Sequence, residues 1–203
     1  MDKLKGKFLE LLSNKDEIRI DLGCGPSKKI GYIGIDILEL PGIDFVADFN
    51  KGLPFIPDNS IDEIISSHLL EHIENLELFL AEIHRVLKPN GIKKIIVPHF
   101  SNPYYYSDYT HKRFFGLYSM DYFSDGSSNL RRKVPSFYNN IKFKVKQRKL
   151  KFKAHPFYVR NKIMALFTIL FNMNPFMQEL YEGTFTGLIP CYEVHFEIIP
   201  IKA

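Results

Sequence analysis

Ile18-Arg19-Ile20-Asp21-Leu22-Gly23-Cys24-Gly25 reads as a short buried strand that runs directly into a two-glycine turn. Glycines at that point permit a tight turn and let a ligand come close to the backbone. A lone Gly-x-Gly is common in α/β turns, so the residues after it carry the decision. Tyr32-Ile-Gly-Ile-Asp36 is predicted as a second strand and Asp44-Phe-Val-Ala-Asp48 as a third. An aspartate thus sits at or near the end of each of three successive strands, at Asp21, Asp36 and Asp48. Any one of them alone is equally well a turn cap. Three together would line the carboxyl edge of a parallel sheet, where ligands bind in such folds. Asp36 is placed to accept hydrogen bonds from ribose hydroxyls, and Asp48 to receive an exocyclic adenine amine.

Working outward, Leu4, Phe8, Leu11 and Leu12 fall at helical spacing before the first strand. Ile61-Asp-Glu-Ile-Ile-Ser-Ser67 is predicted as the fourth strand, after the turn Pro57-Asp-Asn-Ser60. Leu76, Phe79, Leu80, Ile83 and Leu87 form one apolar helical face, with Asn75 as N-cap. Lys88-Pro89-Asn90-Gly91 stops that helix, and Lys93–Val97 reads as a fifth strand. Such alternation predicts an α/β, doubly wound, mostly parallel sheet with helices on both faces.

The second half is less regular. Ser101–Asp125 holds six tyrosines and three phenylalanines without a clear period, and is expected to be a substrate-cap loop. Lys142–Lys153 alternates basic and apolar residues. Phe143 and Val145 share one parity and Leu150 and Phe152 the other, so a bulge or bend is expected near Gln147–Lys149. A lysine-rich strand of this kind blunts a sheet edge, or else forms a stripe for nucleic-acid phosphates together with Arg131, Arg132 and Lys133. A helical insertion is expected over 160–182, broken near Asn174-Pro175, and Cys191–Ile199 alternates as a closing strand. Two late strands without a single crossover helix between them suit antiparallel pairing at one edge. The apolar Ile163–Phe171 segment is expected either to cap a hydrophobic acceptor or to extend the core.

Bulk properties agree with one soluble domain over residues 1–203. Apolar residues make up 45% and charged residues 25%, ordinary for a globular chain. The formal charge of +4 is concentrated largely in the basic strand. No apolar run approaches the roughly 20 residues of a membrane span, and the start lacks the layout of a secretory signal. Two cysteines, Cys24 and Cys191, make no disulfide framework. A cytoplasmic location is expected.

Asp21-Leu-Gly-Cys-Gly25, Gly34-Ile-Asp36, Ala47-Asp48, Ser67-His-Leu-Leu-Glu-His72 and Glu82-Ile-His-Arg-Val-Leu-Lys-Pro-Asn-Gly91, taken in this order, resemble a class I S-adenosylmethionine-dependent methyltransferase of the type 11 group. The resemblance runs from Ile18 to Val97. It implies a Rossmann-like, seven-stranded sheet with an antiparallel last strand, and S-adenosyl-L-methionine as cofactor. It also implies that Asp21, Gly23, Cys24 and Gly25 form the loop at the methionine portion. Asp36 would then hold the ribose and Asp48 the adenine amine, Ile37 and Phe49 would pack around the nucleoside, and Ser67 would lie beside the methionine amino group. His68 and His72 fall in a motif whose part in the family is mainly architectural. One departure is the short interval between Asp21 and Asp36, which leaves little or no room for a helix. Lys28 or Lys29 would stand in for the missing helix dipole near an anion. A dinucleotide enzyme would want Gly-x-Gly-x-x-Gly, but Lys28 occupies the third position.

Methyl transfer from a sulfonium is an in-line displacement, so the protein aligns the partners, excludes water and takes up any acceptor proton. Cys24 has no role as a nucleophile in such chemistry and is read as a small loop filler. The fifth strand ends at His99, and the following loop holds Asp108, His111, Lys112 and Arg113. His99 and His111 are the candidate general bases, with Asp108 orienting an imidazole; the other reading is that they tie the loop together. Asn102-Pro103-Tyr104 resembles the signature of amino-directed methyltransferases but follows the wrong strand. No metal site is expected, since nothing in the spacing fixes a ligand geometry. The expected acceptor is a small molecule; the alternatives are RNA, or a cofactor-binding scaffold without catalysis.

Overall fold

The computed structural model describes residues 2–153 and 158–202. It comprises α1 (Asp2–Ser13), β1 (Arg19–Leu22), β2 (Ile33–Asp36), β3 (Phe45–Val46), β4 (Ile61–Ser67), α2 (Leu76–Val86), β5 (Leu87–Pro98), β6 (Phe143–Lys151), α3 (Tyr158–Phe171), α4 (Pro175–Leu180) and β7 (Glu193–Pro200). The strands form one seven-stranded sheet in the order β3-β2-β1-β4-β5-β7-β6. Strands β1 to β5 pair in parallel, and β7 runs antiparallel between β5 and β6. The carboxyl ends of β1, β2, β4 and β5 therefore open on one edge, with the end of β6 beside them.

Helix α2 forms as its periodicity dictates. Phe79, Leu80, Ile83 and Val86 are buried, and the Asn75 side chain accepts the Leu78 N–H at 3.0 Å. Phe8 of α1 packs edge-on against Phe45 and Phe55, with ring centroids 5.5 and 5.8 Å apart. The short interval between Asp21 and Asp36 leaves no helix there, as expected, and the next link lacks one too. Only ten residues link β1 to β2 and eight link β2 to β3, and no helix forms in either link. A helical crossover between parallel strands takes a dozen residues or more.

In β5 the chain stays extended through Lys88-Pro-Asn-Gly91 where a turn was expected. The insertion is taken up as a bulge, since Ile61 pairs with Leu87 but Glu63 with Ile92. The bulge expected in β6 lies between Val145 and Gln147, one step earlier than Gln147–Lys149, and it puts Phe143, Leu150 and Phe152 inside. The 160–182 insertion breaks at Asn174, which caps α4 by accepting the Met177 N–H at 3.0 Å.

One charged group is enclosed by the sheet. Lys93 is 0% exposed, and its Nζ donates to Ser66 Oγ at 2.5 Å. Burial pushes its pKa well below the ordinary lysine value, opposed only by the charge of Asp21. Between that lowered value and about 10.4 the unfolded chain binds one more proton than the folded one, so this lysine's penalty shrinks as pH rises. Lys93→Met is expected to raise stability by roughly 1–3 kcal/mol at neutral pH, an advantage that fades toward pH ~10. Urea unfolding at the two pH values checks it; equal stability gains at both would contradict the burial origin.

Candidate functional site

The loop after β1 is held by the aspartates it was expected to serve. Gly23 adopts φ +65° and donates its N–H to Ile35 O at 2.8 Å. A Cβ there would lie 2.9 Å from Leu69 Cδ1 and push that side chain aside, on top of the positive φ that favours glycine. Gly25, at φ +52°, donates its N–H to Asp36 Oδ2 at 2.9 Å, and Asp36 Oδ1 accepts the Leu38 N–H at 3.0 Å. Asp21 accepts the Lys29 N–H at 2.9 Å, and burial raises its carboxyl pKa. Asp48 caps the short turn Phe49–Lys51 by accepting the Asn50 N–H at 3.0 Å. The turn-cap reading of these carboxylates therefore holds.

Gly23, Asp36, Ile37, Asp48 and Phe49 line a crevice of about 260 Å³, closed on the other side by Asn50, His68, Leu69, His72 and Ile73. Ile37 is 54% exposed although apolar. Gly25 reaches the crevice through Asp36, while Asp21 and Cys24 support the loop from below. Burial pushes the Cys24 thiol up to about 11, so it is protonated at neutral pH and unsuited to nucleophilic attack. Ser67 ends β4 in an exposed position outside the lining, and the next residue, His68, lines the crevice. Lys28 and Lys29 do not supply the anion-facing charge expected of them. Lys28 Nζ pairs with Asp44 Oδ2 at 2.7 Å, and Lys29 Nζ lies against Tyr32.

A second compartment of about 300 Å³ adjoins the first and is lined by His68, Glu71, His72, Pro98, Asn102, Tyr104, Tyr105, Asp108 and His111. The two spaces share His68 and His72. The aromatic loop is laid over this point by backbone ties: Lys112 N–H donates to Glu71 O at 2.7 Å, Phe100 N–H to Phe115 O at 2.8 Å, and Arg113 Nε to Ile73 O at 2.9 Å. His111 Nδ1 donates to Tyr105 O at 2.9 Å, since a carbonyl only accepts. Its Nε2 then faces Asp108 Oδ2 at 3.5 Å. Asp108 Oδ1 accepts the Thr110 hydroxyl and N–H, which hold its carboxyl below the usual range.

His99 does not reach either space. It is fully buried, with Nδ1 2.8 Å from Ser101 Oγ and Nε2 3.1 Å from Glu182 Oε2. It ties the start of the loop to the insertion, and the reading of His99 as an acceptor-side base is corrected accordingly.

His68, where the two spaces meet, was not singled out as a site residue in the sequence. It holds a left-handed φ of +52° and sits between Glu193 Oε1 at 3.3 Å and Glu71 Oε1 at 3.2 Å. Glu193 and then Glu71 raise its pKa to about 9. Burial works to raise the Glu193 pKa, but His195 and His68 hold it down at about 2. His68 is thus an imidazolium at neutral pH and takes up no further proton. Ligand-type atoms of Glu71, His72 and His111 lie within 4.8 Å of one another; Glu71 is paired with His68, and neither of its buried oxygens has a hydrogen bond. A wider cleft of about 570 Å³, lined by the first turn of α2 and by Lys112–Phe115, shares no residue with either space.

Strand order, glycine loop and acidic strand ends define the class of protein as a class I methyltransferase fold. Residues 20–93 match the family described as Methyltransferase domain. Demethylmenaquinone methyltransferase of Renibacterium salmoninarum is 38% identical over 74 residues, 36% of this chain and 30% of that protein. Ubiquinone/menaquinone biosynthesis C-methyltransferase UbiE of Pseudoalteromonas translucida is 32% identical over 101 residues, 49% of this chain and 39% of that protein. The chain spans about a third of the length of these curated relatives. Among solved structures, the YcgJ protein of Bacillus subtilis superposes with a TM-score of 0.54 at 16% identity over 100% of both chains. A putative methyltransferase of Bacillus halodurans gives 0.53 at 15% identity, over 98% of this chain and 99% of that one. Over residues 20–93 the chain is thus similar to methyltransferase domains, and its whole length shares their fold.

Proposed function

We propose that the protein transfers a methyl group from S-adenosylmethionine to a small-molecule acceptor seated in the second compartment. The observation that carries this reading is the junction of the two spaces at His68 and His72. A donor held in one space and an acceptor in the other meet there in line. Asp36 would hold the ribose and Asp48 the adenine amine, with Ile37 and Phe49 on either side of the nucleoside and the Gly23–Gly25 backbone along the methionine portion. The cofactor supplies a methyl group already activated on a sulfonium. The chain's own task is alignment, exclusion of water and receipt of the acceptor's proton. His111, with Asp108 beside its Nε2, is the group placed for that proton. The relatives named for demethylmenaquinone favour a small ring-bearing acceptor over RNA, and the rings of Tyr104 and Tyr105 on the compartment wall suit one.

Calorimetry should show binding of S-adenosylhomocysteine and little of NAD. Asp36→Ala is expected to weaken that binding by about 1.5–3 kcal/mol, since it removes charge-assisted hydrogen bonds. Asp36 also anchors Gly25 and Leu38, so part of the loss arises from a loosened loop, read as a fall in melting temperature of the free protein. Tight NAD binding with none of S-adenosylhomocysteine would overturn the reading. Cofactor binding without transfer to any small acceptor tested would favour the scaffold alternative.

A further inference from the structure

The positive charge of this chain is segregated. Residues 126–178 contain twelve lysines and arginines and no aspartate or glutamate, whereas the remaining residues carry a net charge of −8. Some of the twelve are used internally: Arg148 pairs with Asp121, Lys146 with Glu197, and Lys142 bonds backbone carbonyls. Lys144, Lys153 and Lys162 are exposed. This cationic half includes the edge strand β6 and helix α3.

Helix α3 is apolar on two sides. One side is seated on β6: Asn172 brackets Leu150 with two hydrogen bonds of 2.8 Å, and Phe171 packs on Phe152 with rings 5.6 Å apart. The other side presents Val159, Ile163, Leu166, Ile169 and Leu170, with Met173 just past the helix end, each between 40% and 80% exposed. Val159, Ile163, Leu166, Leu170 and Met173 follow the four-three spacing of a single helical stripe. Ile163–Phe171 therefore extends the core on one side only, where Met164, Phe167 and Phe171 pack against it. A helix that is apolar all round is normally covered, and no described residue covers this stripe. Just past α3, Phe176 extends the apolar surface beneath the Arg131 guanidinium, 4.6 Å from its ring.

The stripe lies beside the acceptor compartment. Arg160, one turn into α3, stacks 4.9 Å over the Tyr192 ring, and that ring lies 5.9 Å from Tyr104 on the compartment wall. No helix among the described residues is long and apolar enough to cross a membrane. An apolar stripe flanked by lysines and free of acids instead suits a helix lying in the plane of an anionic bilayer. RNA would engage the lysines but gains nothing from six aliphatic side chains. A second copy of the chain would bring two cationic halves face to face.

We propose that the exposed face of α3, with its flanking lysines, docks on an anionic lipid bilayer and turns the mouth of the acceptor compartment toward it. The acceptor class this implies is lipophilic and resident in the bilayer. That last step rests on the methyltransferase reading; the docking does not, and its test involves no turnover.

The test is flotation of the purified protein with phosphatidylcholine vesicles with and without phosphatidylglycerol. Binding is expected only with the anionic lipid and should weaken with salt. Leu166→Glu/Ile169→Glu should lower binding about tenfold or more without changing the melting temperature, because both side chains are exposed. Lys153→Gln and Lys162→Gln should each cost roughly fivefold. Three results would overturn the proposal: no binding to phosphatidylglycerol vesicles, binding indifferent to the glutamate substitutions, or a dimer by light scattering that those substitutions dissociate. Salt-sensitive binding of single-stranded RNA with no vesicle binding would assign the lysines to nucleic acid instead.

Discussion

Turnover should fall by about 10²–10⁴-fold in His111→Ala, with cofactor affinity nearly intact. His111 lines only the acceptor compartment, so its loss removes no residue from the crevice lining; it reaches the crevice through its ring contact with His72, 4.9 Å between centroids. Its Nδ1 also secures the loop through Tyr105 O, so alanine removes a structural tie as well. His111→Asn separates the two roles. The asparagine amide reproduces the Nδ1 donor while Nε2 is lost, so a proton-accepting role predicts that both variants fail alike. A purely positioning role predicts a smaller loss, seen largely in the acceptor KM, and restored by asparagine. Both constants, with melting temperatures, decide. Full activity in a stably folded His111→Ala would remove this side chain from the chemistry.

The largest expected effect on stability is at Asp121. Its carboxylate and the Arg148 guanidinium form an ion pair in which the side chains are only 3% and 5% exposed. Burial works against both charges, raising the pKa of Asp121 and lowering that of Arg148, and each offsets the other. Asp121→Ala leaves the guanidinium buried without its counter-charge and should cost about 3–5 kcal/mol. The pair fastens the turn Ser119–Phe123 to the edge strand, so the aromatic loop should loosen with it. Asp121→Leu/Arg148→Met removes both charges together and should recover most of the loss. Denaturant melts of single and double variants measure this; additive losses would show that the pair is not coupled.

What could be read from the sequence was what depends on neighbours along the chain. Asn75 and the spacing from Leu76 to Leu87 specify α2, because a cap and a 3.6-residue stripe are local properties. The parity change between Val145 and Leu150 located the bulge in β6 to within a residue or two for the same reason. β3 is shorter than predicted, only Phe45–Val46, and Asp48 caps the turn Phe49–Lys51 that follows it. The fate of His99 was hidden, since it depends on Glu182, far along the chain. The same holds for His68, whose charge depends on Glu193. The exposure of α3 was equally hidden, because an apolar run looks alike whether protein, lipid or water lies against it.

The position of β7 also sets an order of assembly. It is wedged between β5 and β6, and among the described residues β6 has no sheet partner but β7. On a ribosome, β1 to β5 can pair as they emerge, but β5 keeps a bare edge until β7 has been made. The whole cationic half is translated before the strand that will hold it in place. Arrival of β7 closes two ladders at once, so the two halves of the molecule become one cooperative unit in a single late event.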